Sequence, residues 1–239
     1  MTELKDFIFI VSYPRSGNTW VRFLLSGVQI PDESPTQFKL NKAIPDLHQS
    51  WMHEVLEREY KFSPIFAKSH HRACGAYEKV GKVIYVYRDV RDVAISVYRY
   101  NHRLYSTISI SDFIAKFFIP GKALFGSWKD HIEYWLIDKK CRVPVLPVKY
   151  EDLYNNTEEQ LRKMCDFSEL EYSDRSIKAA IGNTAYEKIR SMGASEGYAP
   201  TNIGLNGKPG GWRKILSKAD SILLLEHHRS ILKELNYDI

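Results

Sequence analysis

The chain alternates short apolar runs with longer amphipathic ones. Residues 7–11 (FIFIV) are continuously apolar and β-branched or aromatic, the pattern of a strand buried on both faces. Residues 82–88 (KVIYVYR) and 143–150 (VPVLPVKY) repeat it, and 65–68 read as a shorter strand entering a polar turn. Helical spacing predicts helices over 18–29, 48–60, 92–102, 110–119, 126–139, 157–167, 173–191 and 219–235. Ser111 or Asp112 is the expected cap of the 110–119 helix. Residues 31–47 hold three prolines and read as loop. Residues 192–211 hold six glycines and two prolines without periodicity, a loop long enough to be functional. Strands alternating with helices predict an α/β fold in three layers, a central parallel sheet with helices on both faces. No repeat, low-complexity segment or linker interrupts this pattern, so residues 1–239 are expected to form one domain.

The junction of the first strand and first helix carries the most specific signal. The turn 12–18 joins them, and the free N–H groups and positive dipole end of the helix converge on it. That makes a cradle for a phosphate or an anion of similar shape. Arg15, Ser16, Asn18 and Thr19 add side-chain donors there. The turn has one glycine, Gly17, and no Lys after it, so it is not the G-x-x-x-x-G-K-[ST] loop of ATPases. The second strand–turn–helix, over 83–100, repeats the logic. Arg88 stands at its strand end and Ser96 eight residues on, although Arg88 could instead pair with Asp89 or Asp92. The third strand end, 67–71 (AKSHH), puts a cation beside His, a combination suited to accepting a proton and stabilising a transferring group. Adjacent His side chains with no carboxylate or Cys cluster make a weak metal site.

Bulk properties narrow the class. The 239 residues suit one α/β domain with a full core, and 44% hydrophobic with 13% aromatic content excludes disorder. No apolar run reaches the ~18 residues of a membrane span, and residues 1–12 do not read as a signal peptide or anchor. Cys74, Cys141 and Cys165 lack close spacing and fit reduced cytoplasmic thiols. The net charge of +5 is met by a polyanionic cofactor, and no Lys/Arg run argues for nucleic acid.

The turn 13–20, YPRSGNTW, closely resembles the 5′-phosphosulfate-binding loop of the sulfotransferases, whose donor is 3′-phosphoadenosine 5′-phosphosulfate. Cytosolic-type members carry Y-P-K-S-G-T-T-W, so Arg15 stands at their Lys and Asn18 at their first Thr. The stretch 83–100 resembles the family's 3′-phosphate segment, with its R-(x)7-S spacing, and Lys68-Ser69-His70 resembles its K-T-H. Residues 125–135, FGSWKDHIEYW, resemble G-S-W-x-D-H-x-x-x-W, whose aromatics are expected in the core. Residues 204–213 resemble R-K-G-x-x-G-D-W-K; Gly207, Gly210, Trp212 and Arg213 match, while Leu205 and Asn206 replace the Arg-Lys pair and Gly211 replaces Asp.

The resemblance runs from residue 7 to about 216 and implies a P-loop-like architecture and a residue-by-residue site. Arg15, Ser16, Gly17, Asn18 and Thr19 would hold the 5′-phosphosulfate, and Trp20 would stack on the adenine. Arg88 and Ser96 would hold the 3′-phosphate; Tyr150 and Thr184 would lie near the nucleotide. Asn206, Gly207 and Lys208 would close over the cofactor, Lys208 supplying charge the missing pair does not. His70 would be the base, with Lys68 and Arg15 as catalytic cations and no role for His71. The implied reaction is in-line sulfuryl transfer, without a metal, to a hydroxyl or amine of a small-molecule acceptor in the cytoplasm. Adenosine 3′,5′-bisphosphate would be the product. Two alternatives stand beside it. One is a nucleotide-binding protein of this fold without activity, favoured by the 204–213 departures. The other is a nucleotide kinase, which would need a G-K-[ST] loop and a Mg²⁺-binding carboxylate. The acceptor and the oligomeric state are not legible here.

Overall fold

Four parallel strands, β1 (Phe7–Ser12), β2 (Ile65–Ser69), β3 (Lys82–Tyr87) and β4 (Val145–Lys149), form a sheet in the order β2-β1-β3-β4. The structure is a computed structural model and describes residues 2–31, 37–47, 52–72, 79–123, 125–138, 142–184, 207–237 and 239. The described helices are α1 (Asn18–Gln29), α2 (Gln37–Ala43), α3 (Met52–Leu56), α4 (Val90–Tyr100), α5 (His102–Tyr105) and α6 (Ile110–Phe113). They continue with α7 (Trp128–Ile132), α8 (Tyr150–Asn155), α9 (Thr157–Ser168), α10 (Asp174–Asn183) and α11 (Lys218–Glu234). π-type turns extend α6 to Phe118 and α7 to Ile137.

Strand alternation makes the three layers. Phe7, Phe9 and Val11 of β1 join Ala67, Val83 and Tyr85 on one face, under Val93 and Val97 of α4, Phe113, Trp128, Ile132, Leu224 and Ile231. Ile8 and Ile10 join Phe66, Ile84, Val86 and Val148 on the other, under Val21, Leu24 and Leu25 of α1, Leu161 and Ile177. Both faces are covered, which is why the strands read as continuous apolar runs.

The elements differ from the pattern reading in places with a physical cause. Residues 37–43, expected as loop, are helical. Leu40 and Ile44 are buried, and Arg22 of α1 reaches across to donate to Asn41 Oδ1 (3.0 Å) and the Ile44 carbonyl (2.6 Å). Neither Ser111 nor Asp112 caps α6. Ser109 does, its Oγ accepting from Asp112 N (3.1 Å), while Ser111 Oγ donates to Asp220 on α11 (2.8 Å). The helix expected over 92–102 starts earlier, at Val90, because the Asp89 carboxylate caps Arg91 N (2.8 Å). The fourth strand stops at Lys149, and Tyr150 opens α8. Of the 48–60 and 173–191 helices, residues 48–51 and 185–191 lie outside the described residues.

Residues 45–47 lie along β2: Lys68 N donates to the Pro45 carbonyl (2.8 Å) and Leu47 N to the Lys68 carbonyl (3.1 Å), setting Asp46 beside Lys68. Cys165 is buried in the α1 layer; Cys74 and Cys141 lie outside the described residues. Among the described residues no helix is long and apolar enough to cross a membrane.

His228 of α11 is buried, its Nδ1–H donating to the Leu224 carbonyl (2.9 Å) and its ring edge-on to Trp128. Burial pushes its pKa from 6.5 down to about 4. The unfolded chain therefore binds a proton that the fold refuses. This contribution is complete above pH 6.5 and is lost as pH falls toward 4. Between about pH 7.5 and pH 5 it should cost about 2 kcal/mol. Urea denaturation at both pH values is expected to show a pH dependence smaller by that amount in His228→Gln; equal dependence in variant and wild type would contradict it.

Candidate active site

The strand order places the C-terminal end of β1 between β2 and β3, at the crossover where parallel sheets bind ligands. Between β1 and α1 the backbone passes through left-handed conformations at Arg15 (φ 73°) and Gly17 (φ 109°). A Cβ on Gly17 would fall 2.4 Å from the Tyr150 ring, so the position requires glycine on both counts. Tyr13 is buried and donates to the Gly126 carbonyl (3.0 Å). Ser16 is buried, and its hydroxyl has no hydrogen-bond partner among the described residues. Asn18 faces inward, Nδ2 donating to the Ile10 carbonyl (3.0 Å) and Ser12 Oγ (3.3 Å); it ties the turn to β1 instead of lining the cradle. Thr19 is exposed, and the half-buried Trp20 ring lies 5.8 Å from that of Tyr150.

At the end of β3, Arg88 is buried with its guanidinium 4.3 Å over the Tyr150 ring. Its ion pair is with Asp92 (3.6 Å), while Asp89 takes Arg91 in a two-pronged pair (2.7 Å for Arg91 Nη2 to Asp89 Oδ2). Arg88 Nε has no hydrogen-bond partner among the described residues. Arg15 ties the first turn to α4: its Nε donates to Ser96 Oγ (3.1 Å), and its guanidinium lies 4.6 Å over the Tyr100 ring. Each turn thus holds a buried polar group costing about 1–3 kcal/mol if left dry and unpaired. One ligand with anionic groups at both turns would satisfy both.

His70 follows β2. Its Nδ1 lies 2.8 Å from the Ser12 carbonyl and 3.3 Å from Ser12 Oγ. A carbonyl only accepts, so Nδ1 carries a proton, and in the neutral ring the lone pair is then on Nε2. His131, buried on α7, donates from Nε2 to the His70 carbonyl (3.2 Å) and accepts at Nδ1 from the Tyr85 hydroxyl (2.6 Å). Burial pushes the His131 pKa down to about 4, which keeps the ring in the neutral form this pattern needs. Lys68 is ion-paired with Asp46 at 2.6 Å. Burial lowers its pKa, with Asp46 opposing and the Arg22 and Arg15 charges assisting. His71 is exposed and donates its backbone N–H to Ser69 Oγ (3.0 Å).

The structure therefore brings Arg15, Ser16, Gly17, Arg88, Ser96, Tyr150 and Gly207 together, the last because Tyr150 Oη donates to its carbonyl (2.7 Å). Lys208 is exposed. Thr184 is buried and spends its hydroxyl on the Ala180 carbonyl of its own helix (2.7 Å). Asn206 lies outside the described residues. Asp46, Tyr85, Tyr100 and the role of Asp92 were not legible as parts of this site. His131 stands inside the 125–135 segment, which reads as core. Among the described residues no cluster of His, Cys, Asp or Glu could hold a metal ion.

The fold that holds these residues is a P-loop-like α/β fold. The family described as the sulfotransferase domain matches residues 5–220, and the chain belongs to that family; it is a transferase of sulfuryl groups. Rat sulfotransferase 1E1 is 26% identical over 251 residues, covering 96% of this chain and 84% of its own length. Cytosolic sulfotransferase 12 of Arabidopsis thaliana is 26% identical, covering 91% and 74%. Rabbit amine sulfotransferase is also 26% identical, and there the match spans 77% of this chain but only 63% of the relative. The fold is shared with mouse sulfotransferase SULT7A1 complexed with PAP (TM-score 0.70, 20% identity, 98% and 86% coverage). It is shared too with retinol dehydratase in complex with androsterone and PAP (TM-score 0.73, 21% identity, 100% and 83% coverage).

The Tyr85–His131–His70 chain can be tested for stability. Tyr85→Phe leaves His131 Nδ1 without its donor, and His131→Phe removes both the acceptor of the Tyr85 hydroxyl and the ring donor to the His70 carbonyl. Each is expected to cost about 1–3 kcal/mol in denaturant unfolding. The double variant should cost less than the sum, because both singles break the same bond. Additive losses would show that the Tyr85–His131 bond contributes nothing.

Proposed function

We propose that this chain moves a sulfuryl group from 3′-phosphoadenosine 5′-phosphosulfate to a hydroxyl or amine of a small, apolar acceptor, with His70 as the base. The observation that carries this is the pair of strand-end turns, the first linked to α4 by the Arg15–Ser96 hydrogen bond, each with a buried group that has no partner among the described residues, Ser16 Oγ and Arg88 Nε. When bound, the nucleotide supplies the sulfuryl group and a stable phosphate leaving group. Ser16, Thr19 and the backbone N–H groups of Gly17 and Asn18 cradle its 5′ end, and Arg15 adds charge there. Lys68 contributes a positive charge tempered by Asp46. Arg88 and Ser96, with Asn206, Gly207 and Lys208, take the 3′-phosphate. Trp20, Tyr150 and Thr184 border the base.

His70 Nε2 takes the acceptor's proton, and the Nδ1–H bond to the Ser12 carbonyl steadies the imidazolium that forms. Tyr100 and Phe125, whose rings lie 6.3 Å apart, offer an apolar border near Arg15 for the acceptor. The whole of 1–239 acts as one domain on this reading, and a cytoplasmic setting fits the buried Cys165 thiol and relatives such as cytosolic sulfotransferase 12. A second reading, nucleotide binding without transfer, is favoured by Leu205, Asn206 and Gly211 standing where the family carries charge.

Transfer from a radiolabelled donor to a panel of phenols, alcohols and amines separates these. Wild type should label at least one acceptor. His70→Ala should lower the rate by roughly two to four orders of magnitude with donor affinity unchanged, and His71→Ala far less. Equal losses in the two variants would remove His70 as the base. A wild type that binds donor but labels no acceptor would favour the second reading.

A further inference from the structure

Asp92 lies one helical turn beyond Arg88 on α4 and is almost wholly buried, at 4% exposure. Its two oxygens face a segment far along the chain: Oδ2 accepts from Gly210 N (2.8 Å) and Oδ1 from Trp212 N (2.9 Å). Oδ2 also sits 3.6 Å from Arg88 Nη2. The left-handed backbone of Gly210 (φ 73°) sits between the two donors and helps aim both at one carboxylate. Beside it, the Arg91 guanidinium, held by Asp89, lies 4.1 Å over the Trp212 ring. At the other end of the segment, Tyr150 holds the Gly207 carbonyl (2.7 Å) while its ring packs on Arg88 (4.3 Å). Segment 207–212 is thus anchored at both ends by residues that touch Arg88. Arg88 meets Asp92 through Nη2 and leaves Nε for an anion, so one planar guanidinium can bridge a phosphate and Asp92 at once.

We propose that Asp92 is a positioning residue for the 3′-phosphate subsite: through Arg88 on one side and the Gly210 and Trp212 amides on the other, it makes segment 207–212 tighten when a 3′-phosphate binds. This rests on reading Arg88 as a ligand of that phosphate. The alternative role, competition with the phosphate for Arg88, has the opposite sign. Neutralising a competitor would strengthen binding, whereas neutralising a positioner weakens it.

Asp92→Asn keeps the shape but presents an amide NH₂ to one of the two N–H donors. Affinity for adenosine 3′,5′-bisphosphate and for AMP is to be read by Trp fluorescence, since Trp212 lies in the segment. The expected result is that the preference for the bisphosphate falls roughly tenfold while AMP affinity stays within about twofold. A preference that is unchanged or increased overturns the proposal. Should the variant not fold, hydrogen exchange in wild type decides. The Gly210 and Trp212 amides are expected to slow with the bisphosphate and not with AMP, and indifference to the bisphosphate overturns the proposal. A wild type that binds both nucleotides equally overturns the reading of Arg88 itself.

Discussion

The Tyr150 ring is the contact on which this site depends. Its edge fills the space a Cβ would need at Gly17, its face carries the Arg88 guanidinium, and its hydroxyl holds the Gly207 carbonyl. One rigid aromatic thereby fixes the turn after β1, the cation after β3 and the segment near the C-terminus. Its place at the first residue of α8, directly after β4, ties all three to the sheet. A smaller residue there would leave Gly17 its freedom, Arg88 its rotamers and Gly207 an unpaired carbonyl.

The charges at the strand ends are held by partners before any ligand arrives. Lys68 pairs with Asp46, Arg88 with Asp92 and Arg91 with Asp89, all largely buried. Buried pairs of this kind contribute little net stability, because desolvation offsets attraction. Their effect is to keep long cationic side chains in fixed positions, so binding an anion does not require ordering them. The Ser16 hydroxyl and Arg88 Nε, without partners among the described residues, mark where that preparation leaves hydrogen-bonding capacity for a ligand. The neutral His131 performs the same service at the end of β2, gripping the backbone of His70 without adding charge beside it.

Much of this was legible in the chain because it rests on local pattern. Continuous apolar strands, the 12–18 turn and the eight-residue spacing of Arg88 and Ser96 are short-range features, and the sheet, its layers and the junction of β1 and α1 follow from them. What escaped depends on tertiary contact. Helix α2 buries Leu40, with Ile44 just beyond it, and is held by Arg22, a partner its own segment does not reveal. Asp46 reaches Lys68 only because 45–47 lies along β2. Asn18 reads as a donor to a ligand, yet its amide is spent on β1. Thr184 likewise spends its hydroxyl on its own helix.

The most direct test of the two-cradle site is a crystal structure with adenosine 3′,5′-bisphosphate. The 5′-phosphate is expected in the 13–19 turn within hydrogen-bonding distance of Ser16 Oγ, and the 3′-phosphate against Arg88 Nε and Ser96 Oγ, with the Tyr150 ring unmoved. A nucleotide bound elsewhere, or one whose 3′-phosphate projects into solvent away from Arg88, would contradict it.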